Sequence, residues 1–245
     1  MGNDPRRNFI AYGVLIGACL VVALVRAVLP DLFRNGPPSF QLFLSFRGTA
    51  VIGLLGLIGL LFLKRSNLRG LWDDEVSAYQ KLVVPLGVGI LFGLVNVVLR
   101  RFIPIDAVLE RVLKAQGVQA SGPPLAGAIL GYFSGGILIN IVYFLVLIPP
   151  VVYLVSGRLL KGRMQGLVFW SIAIPLALWE PLTNPPFSVS VEFFGVAGAI
   201  VIMVFGAVFT TLQAWFMRIY GFVALVVVRL GLYAVTHVIY PRLRG

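Results

Sequence analysis

Residues 125–155 read LAGAILGYFSGGILINIVYFLVLIPPVVYLV, thirty-one positions without a single Asp, Glu, Lys, Arg or His. A helix needs about 20 predominantly apolar residues to cross the hydrocarbon core of a bilayer. Nothing in this stretch would hold it in water, and its length exceeds what a buried strand or core helix of a small domain uses. Pro149 and Pro150 fall near its end, where a proline removes a backbone donor and clashes with the preceding turn. The expectation is a membrane helix that kinks or stops at the proline pair.

Six further apolar runs flank it, at residues 9–29, 43–63, 82–99, 166–179, 193–215 and 222–240. The run at 166–179 is short and carries Pro175. Across all 245 residues 59% are apolar and 12% charged, with a mean hydropathy of +0.97. Soluble domains carry about 25% charged residues, so half that share means most of the surface does not face water. The fold expected is all-α, a polytopic bundle of about seven spans. Organisation divides at residue 120, with amino-terminal spans and interfacial helices in 1–120 and core helices in 121–245, one membrane domain in all.

Lys and Arg outnumber Asp and Glu by 20 to 9. Most basic residues cluster at the ends of apolar runs, where they meet lipid headgroups and set orientation. A nucleic-acid site would need a basic face interleaved with aromatics on a soluble module, and none is present. With the amino terminus in the cytoplasm, the inner segments hold Arg6, Arg7, Lys64, Arg65, Arg69, Lys81, Arg158, Lys161, Arg163 and Arg218. That bias favours an amino terminus inside, in a prokaryotic cytoplasmic membrane. Residues 64–81 and 105–115 mix apolar and charged side chains and read as helices lying in the interface.

Arg6-Arg7 followed by an apolar run resembles an export signal, and Ile16-Gly17-Ala18-Cys19 a lipobox. The apolar run continues past Cys19 to Leu29, long enough to remain a span. Myristoylation of Gly2 is not expected, since position 6 is Arg. One cysteine excludes an internal disulfide framework, and one histidine without Cys or carboxylate partners is a poor metal site. No metal or other cofactor is expected.

Polar groups in hydrocarbon cost at least about 2.5–3.5 kcal/mol when ionised, so each requires a reason. Asn140, Glu180, Arg229 and His237 lie deepest and form a candidate polar cluster, with Asn96 and Gln213 behind them. Arg229, Tyr233 and His237 recur at four-residue spacing, one stripe of the last helix. Gly127, Gly131 and Gly135 repeat at the same spacing, a pattern that lets a second helix approach closely.

The stretch YGFVALVVVRLGLYAVTHVIYP at residues 220–241 resembles the last core helix of the CPBP intramembrane peptidases, the CAAX protease and bacteriocin-processing family. Tyr132-Phe133-Ser134-Gly135-Gly136-Ile137 resembles the lead-in to that family's Glu-Glu-x-x-x-Arg motif. The likeness covers roughly residue 127 to the carboxyl terminus and implies a CPBP-like core. It places the former active site at Ile139, Asn140, Phe144, Leu176, Glu180, Arg229 and Tyr233.

At those positions the chain departs from the pattern. Ile139 and Asn140 stand for the glutamate pair and Phe144 for the arginine. Leu176 and Glu180 stand for Phe-x-x-x-His, and Arg229 and Tyr233 for His-x-x-x-Asp/Asn. Ile139 accepts no proton, Asn140 has no carboxylate, and Arg229 stays charged. The resemblance therefore implies no catalytic residue and no enzyme, but an accessory subunit that binds or stabilises another integral membrane protein. Two alternatives remain: a lipid or isoprenoid binder using the former active-site cavity, and a divergent intramembrane peptidase working through Glu180 and His237. Glu180 and Arg229, opposite in charge, are expected to pair if they share an interior.

Overall fold

Hydrocarbon offers a backbone no hydrogen-bond partners, so each apolar run must close its bonds within its own helix. A computed structural model of the protein describes residues 5–34, 43–103, 123–183 and 187–244. Among them seven helices are long and apolar enough to cross a membrane. They are α1 (Pro5–Val28), α2 (Phe46–Arg65), α3 (Tyr79–Phe102), α4 (Leu125–Leu159), α5 (Gln165–Thr183), α6 (Phe187–Tyr220) and α7 (Phe222–Leu243). The molecule is an all-α polytopic bundle, and its described residues form no strand.

Burial separates the helices into two groups. Half of the apolar window of α4 and of α7 is buried within the protein, against 17–39% in the other five. The two therefore stand at the centre, and the others turn an apolar flank to lipid. On α6 that flank is the stripe Val196, Ile200, Val204 and Val208, all exposed at four-residue spacing. Helices α1 and α2 cover one side of α4, α3 and α6 cover α7, and α5 packs on α6 and on the middle of α4. The division expected at residue 120 falls outside the described residues, but packing across it is extensive: α3 lies on α7 and α2 on α4.

The proline pair does not end α4. Pro149 and Pro150 open a five-residue α-helical piece (Ile148–Val152) set between two π-helical stretches, Ile141–Val146 and Tyr153–Leu159. The wider turns redistribute backbone bonds around the missing N–H groups, so the chain continues. At about 1.5 Å per residue its 35 residues span about 52 Å, more than a bilayer core requires. Helix α5 likewise runs through Pro175 and Pro181 and ends at Thr183, four residues past the apolar run that announced it. In α6 the chain breaks at Gly195, whose φ of 67° lies in the left-handed region.

One of the expected glycines makes a close approach, and glycines outside that set make others. Gly127, Gly131 and Gly135 are buried, and a Cβ at Gly127 would overlap the carbonyl of Leu32 in the short turn after α1. The tightest helix-on-helix seams lie elsewhere. Gly89 and Gly231 bring α3 and α7 together so closely that a Cβ on either would overlap the other helix's backbone. Gly59 of α2 sits against the Leu145 carbonyl in the π-helical part of α4.

Residues 64–81 are not an interfacial helix. Helix α2 ends at Arg65, Asn67 takes a φ of 53°, and no helix resumes before residue 78. The segment instead folds inward as a plug. Leu68, Leu71 and Val76 are buried, and Trp72 lies under the ammonium of Lys81 at 4.3 Å. Its backbone is needed elsewhere: the carbonyls of Gly70 and Leu71 accept from the Phe222 and Val223 amides, capping the start of α7. A helix would have consumed those carbonyls internally. The second expected interfacial helix, 105–115, lies outside the described residues.

Candidate functional site

Four helices bring their polar side chains to one place inside the bundle: α4 contributes Asn140, α5 Glu180, α6 Thr210 and Gln213, and α7 Arg229 and Tyr233. Asn140 and Gln213 are wholly buried, and Arg229 and Glu180 are 3% and 9% exposed.

The centre is a two-pronged ion pair. Arg229 Nη1 donates to Glu180 Oε1 at 2.6 Å, and Nη2 donates to Oε2 at 2.9 Å. Around it the remaining valences are nearly filled. Nη2 also donates to Gln213 Oε1 at 2.8 Å and Nη1 to the Tyr233 hydroxyl at 3.3 Å. Thr210 Oγ1 donates to Glu180 Oε2 at 2.8 Å. Gln213 turns its amide nitrogen to Asn140 Oδ1 and the Leu225 carbonyl, each at 3.3 Å. Within this cluster, Asn140 Nδ2 and Arg229 Nε are buried donors that find no partner among the described residues.

Local helix geometry explains why these residues can meet. Arg229 and Tyr233 are one turn apart on α7, so guanidinium and hydroxyl share a face. Thr210 and Gln213 occupy the matching face of α6 at a spacing of three. Of the expected cluster, Glu180 and Arg229 are in direct contact, and Asn140 joins them through Gln213. His237 does not join. Its ring stacks on Tyr132, with centroids 4.3 Å apart and planes at 11°, and meets Tyr233 edge-on. Ile139 is half-buried, Phe144 is sealed in the core, and Leu176 packs against that core, so these three supply shape without polarity.

The chemistry open to this arrangement is narrow. A general base needs a carboxylate oxygen free to take a proton. Both oxygens of Glu180 are bonded to a guanidinium that stays charged. Charge-assisted bonds of this fork geometry are directional and fix α5 against α7, with α6 tied in through Thr210 and Gln213. Their net worth is smaller than their strength, because desolvating both ions offsets much of the attraction. Among the described residues no three His, Cys, Asp or Glu side chains come together to hold a metal ion.

Thr210 was invisible to sequence reasoning, since nothing sets it apart from its neighbour Thr211 or other hydroxyls within the spans. Gln213 could have been given more weight, because a buried amide in a span demands partners as firmly as a charge does. No protein-family model matches the sequence, and comparison with curated proteins and with solved structures likewise found no match.

Proposed function

We propose that the chain is a non-catalytic membrane subunit, a bundle that binds or stabilises a partner membrane protein. One observation carries this reading: Arg229 occupies both carboxylate oxygens of Glu180, the only acidic side chain in the buried cluster. A carboxylate so held braces helices and does not activate water. The resemblance to CPBP peptidases gives the bracing a context, since Asn140, Glu180 and Arg229 stand where that family keeps reactive groups. The protein lies in a prokaryotic cytoplasmic membrane with its amino terminus inside, supported by the basic residues near the ends of α1, α2, α4 and α6 on the amino-terminal face.

The test is purification of the tagged full-length protein from native membranes in mild detergent, followed by mass spectrometry of what co-purifies. One membrane protein in stoichiometric amount is the expected result. Recovery of the chain alone, together with cleavage of a membrane-embedded peptide that Glu180→Gln abolishes, would replace the subunit with a peptidase.

A further inference from the structure

A second polar site lies away from the ion pair, at the face of the bundle where α1 begins. The plug of residues 66–78, the start of α5 and the end of α6 enclose a cleft of about 340 Å³ lined by Asn67, Leu68, Arg69, Gln165, Phe169, Arg218 and Ile219. Because α5 begins and α6 ends here, the cleft opens at the level of the lipid headgroups. We propose that it binds the phosphate of an anionic lipid, with Arg218 as the principal ligand.

Arg218 is half-buried and makes no hydrogen bond or ion pair among the described residues, so its N–H groups remain to be used. It is nevertheless held in place. Its guanidinium carbon lies 5.5 Å from the Phe169 ring centroid and 6.0 Å from that of Trp170, within cation–π range of both rings. A half-buried guanidinium held near two aromatic rings with its N–H groups unspent is prepared for an oxyanion, with less side-chain entropy to lose on binding.

Gln165 Nε2 donates to the carbonyls of Ser66 and Asn67 at 2.7 and 3.0 Å, which takes up acceptors that would otherwise repel a phosphate and fixes the plug to α5. Arg69 offers Nη2 and Nε, since only its Nη1 is engaged, 2.7 Å from Asp73 and 3.9 Å from Glu75. Those two carboxylates offset the charge of Arg69, so Arg218 supplies the net attraction. The occupant follows from position. A basic pocket between helices at the interface meets anionic headgroups at high local concentration, and the acyl chains lie along the apolar flanks of the same helices. This inference is independent of the function assigned to the buried pair.

The full-length protein is reconstituted in nanodiscs of phosphatidylcholine containing a minor share of phosphatidylglycerol, released, and weighed intact with its retained lipid. Wild type should keep one phosphatidylglycerol in preference to phosphatidylcholine. Arg218→Gln should lower that preference about tenfold, the scale of one charge-assisted pair, and Arg69→Gln less. Arg158→Gln removes an equal charge from an exposed position on the same face and should change nothing. Equal losses in the Arg158 and Arg218 variants would overturn the site in favour of diffuse attraction. Equal retention of both lipids by wild type would overturn it without recourse to any variant. Thermal stabilisation of wild type by inorganic phosphate, with no retained phosphatidylglycerol, would overturn the lipid as the source of the phosphate.

Discussion

Arg229 and Glu180, 49 residues apart in sequence, meet edge to edge through two parallel hydrogen bonds while being almost wholly enclosed by protein. The relationship is geometric as well as electrostatic. The planar fork fits the carboxylate in one orientation, so α5 and α7 can neither slide nor rotate without breaking both bonds.

Removing one partner should cost more than removing both. Arg229→Leu leaves a buried carboxylate with Thr210 as its one remaining partner, a loss of about 3–5 kcal/mol. Glu180→Leu combined with Arg229→Leu should be milder than Arg229→Leu alone. Unfolding in mixed detergent micelles, followed by loss of helical signal, measures both. A double variant less stable than the single would refute the pairing as the cause.

Gln213 is the bridge to Asn140. Gln213→Leu preserves volume but strands one Arg229 donor and leaves Asn140 Oδ1 and the Leu225 carbonyl without this partner. A destabilisation of about 1–3 kcal/mol is expected from the unmet groups. Gln213→Glu would place a second carboxylate beside the first and should unfold the bundle more readily than the leucine variant. The same micelle titration ranks the two.

Two glycines two residues apart on α3 should respond in opposite ways. A Cβ at Gly89 would overlap the Val228 carbonyl, so Gly89→Leu should force α3 off α7 at a cost of about 1–3 kcal/mol or more. Gly87 has nothing within reach, and Gly87→Ala should leave stability unchanged or raise it by up to about 1 kcal/mol. Equal effects of the two would mean the seam is looser than the structure describes.

An odd number of crossings puts the two termini on opposite faces of the membrane. Reporter fusions active in the cytoplasm at one end and outside it at the other are expected. Both termini on one side would refute seven crossings.

Much of this was legible beforehand, for physical reasons that apply unevenly. Seven runs could be counted because hydrocarbon demands length and apolarity of each span separately. Glu180 and Arg229 stood out because charge in a span is costly wherever it falls. The α3–α7 glycine seam escaped notice for the converse reason. Spacing identifies a smooth face but not its neighbour: Gly127 meets the Leu32 carbonyl after α1, while Gly89 and Gly93, also four residues apart, seat α3 on α7. The plug at 66–78 was mistaken for a helix because Leu68, Leu71, Trp72, Val76 and Tyr79 are spaced as a helix would space them. What opposed the helix was a need on the far side of the chain, the uncapped start of α7 at Phe222, which no local pattern records.

The sequence separation of the ion pair also has a consequence in time. At about 5–20 residues per second, the 49 residues between Glu180 and Arg229 take about 2–10 seconds to synthesise. Throughout that interval α5 exists with its carboxylate and without the guanidinium that neutralises it. Released into lipid alone, α5 would carry the full insertion penalty of that group. It is therefore expected to wait in a hydrated or proteinaceous setting, such as the insertion channel or its flank, until α6 brings Thr210 and α7 brings Arg229. On this account the carboxyl-terminal three helices enter the bilayer as a single consignment, and a ribosome stalled between residues 185 and 225 should leave α5 extractable where α1 and α2 are not.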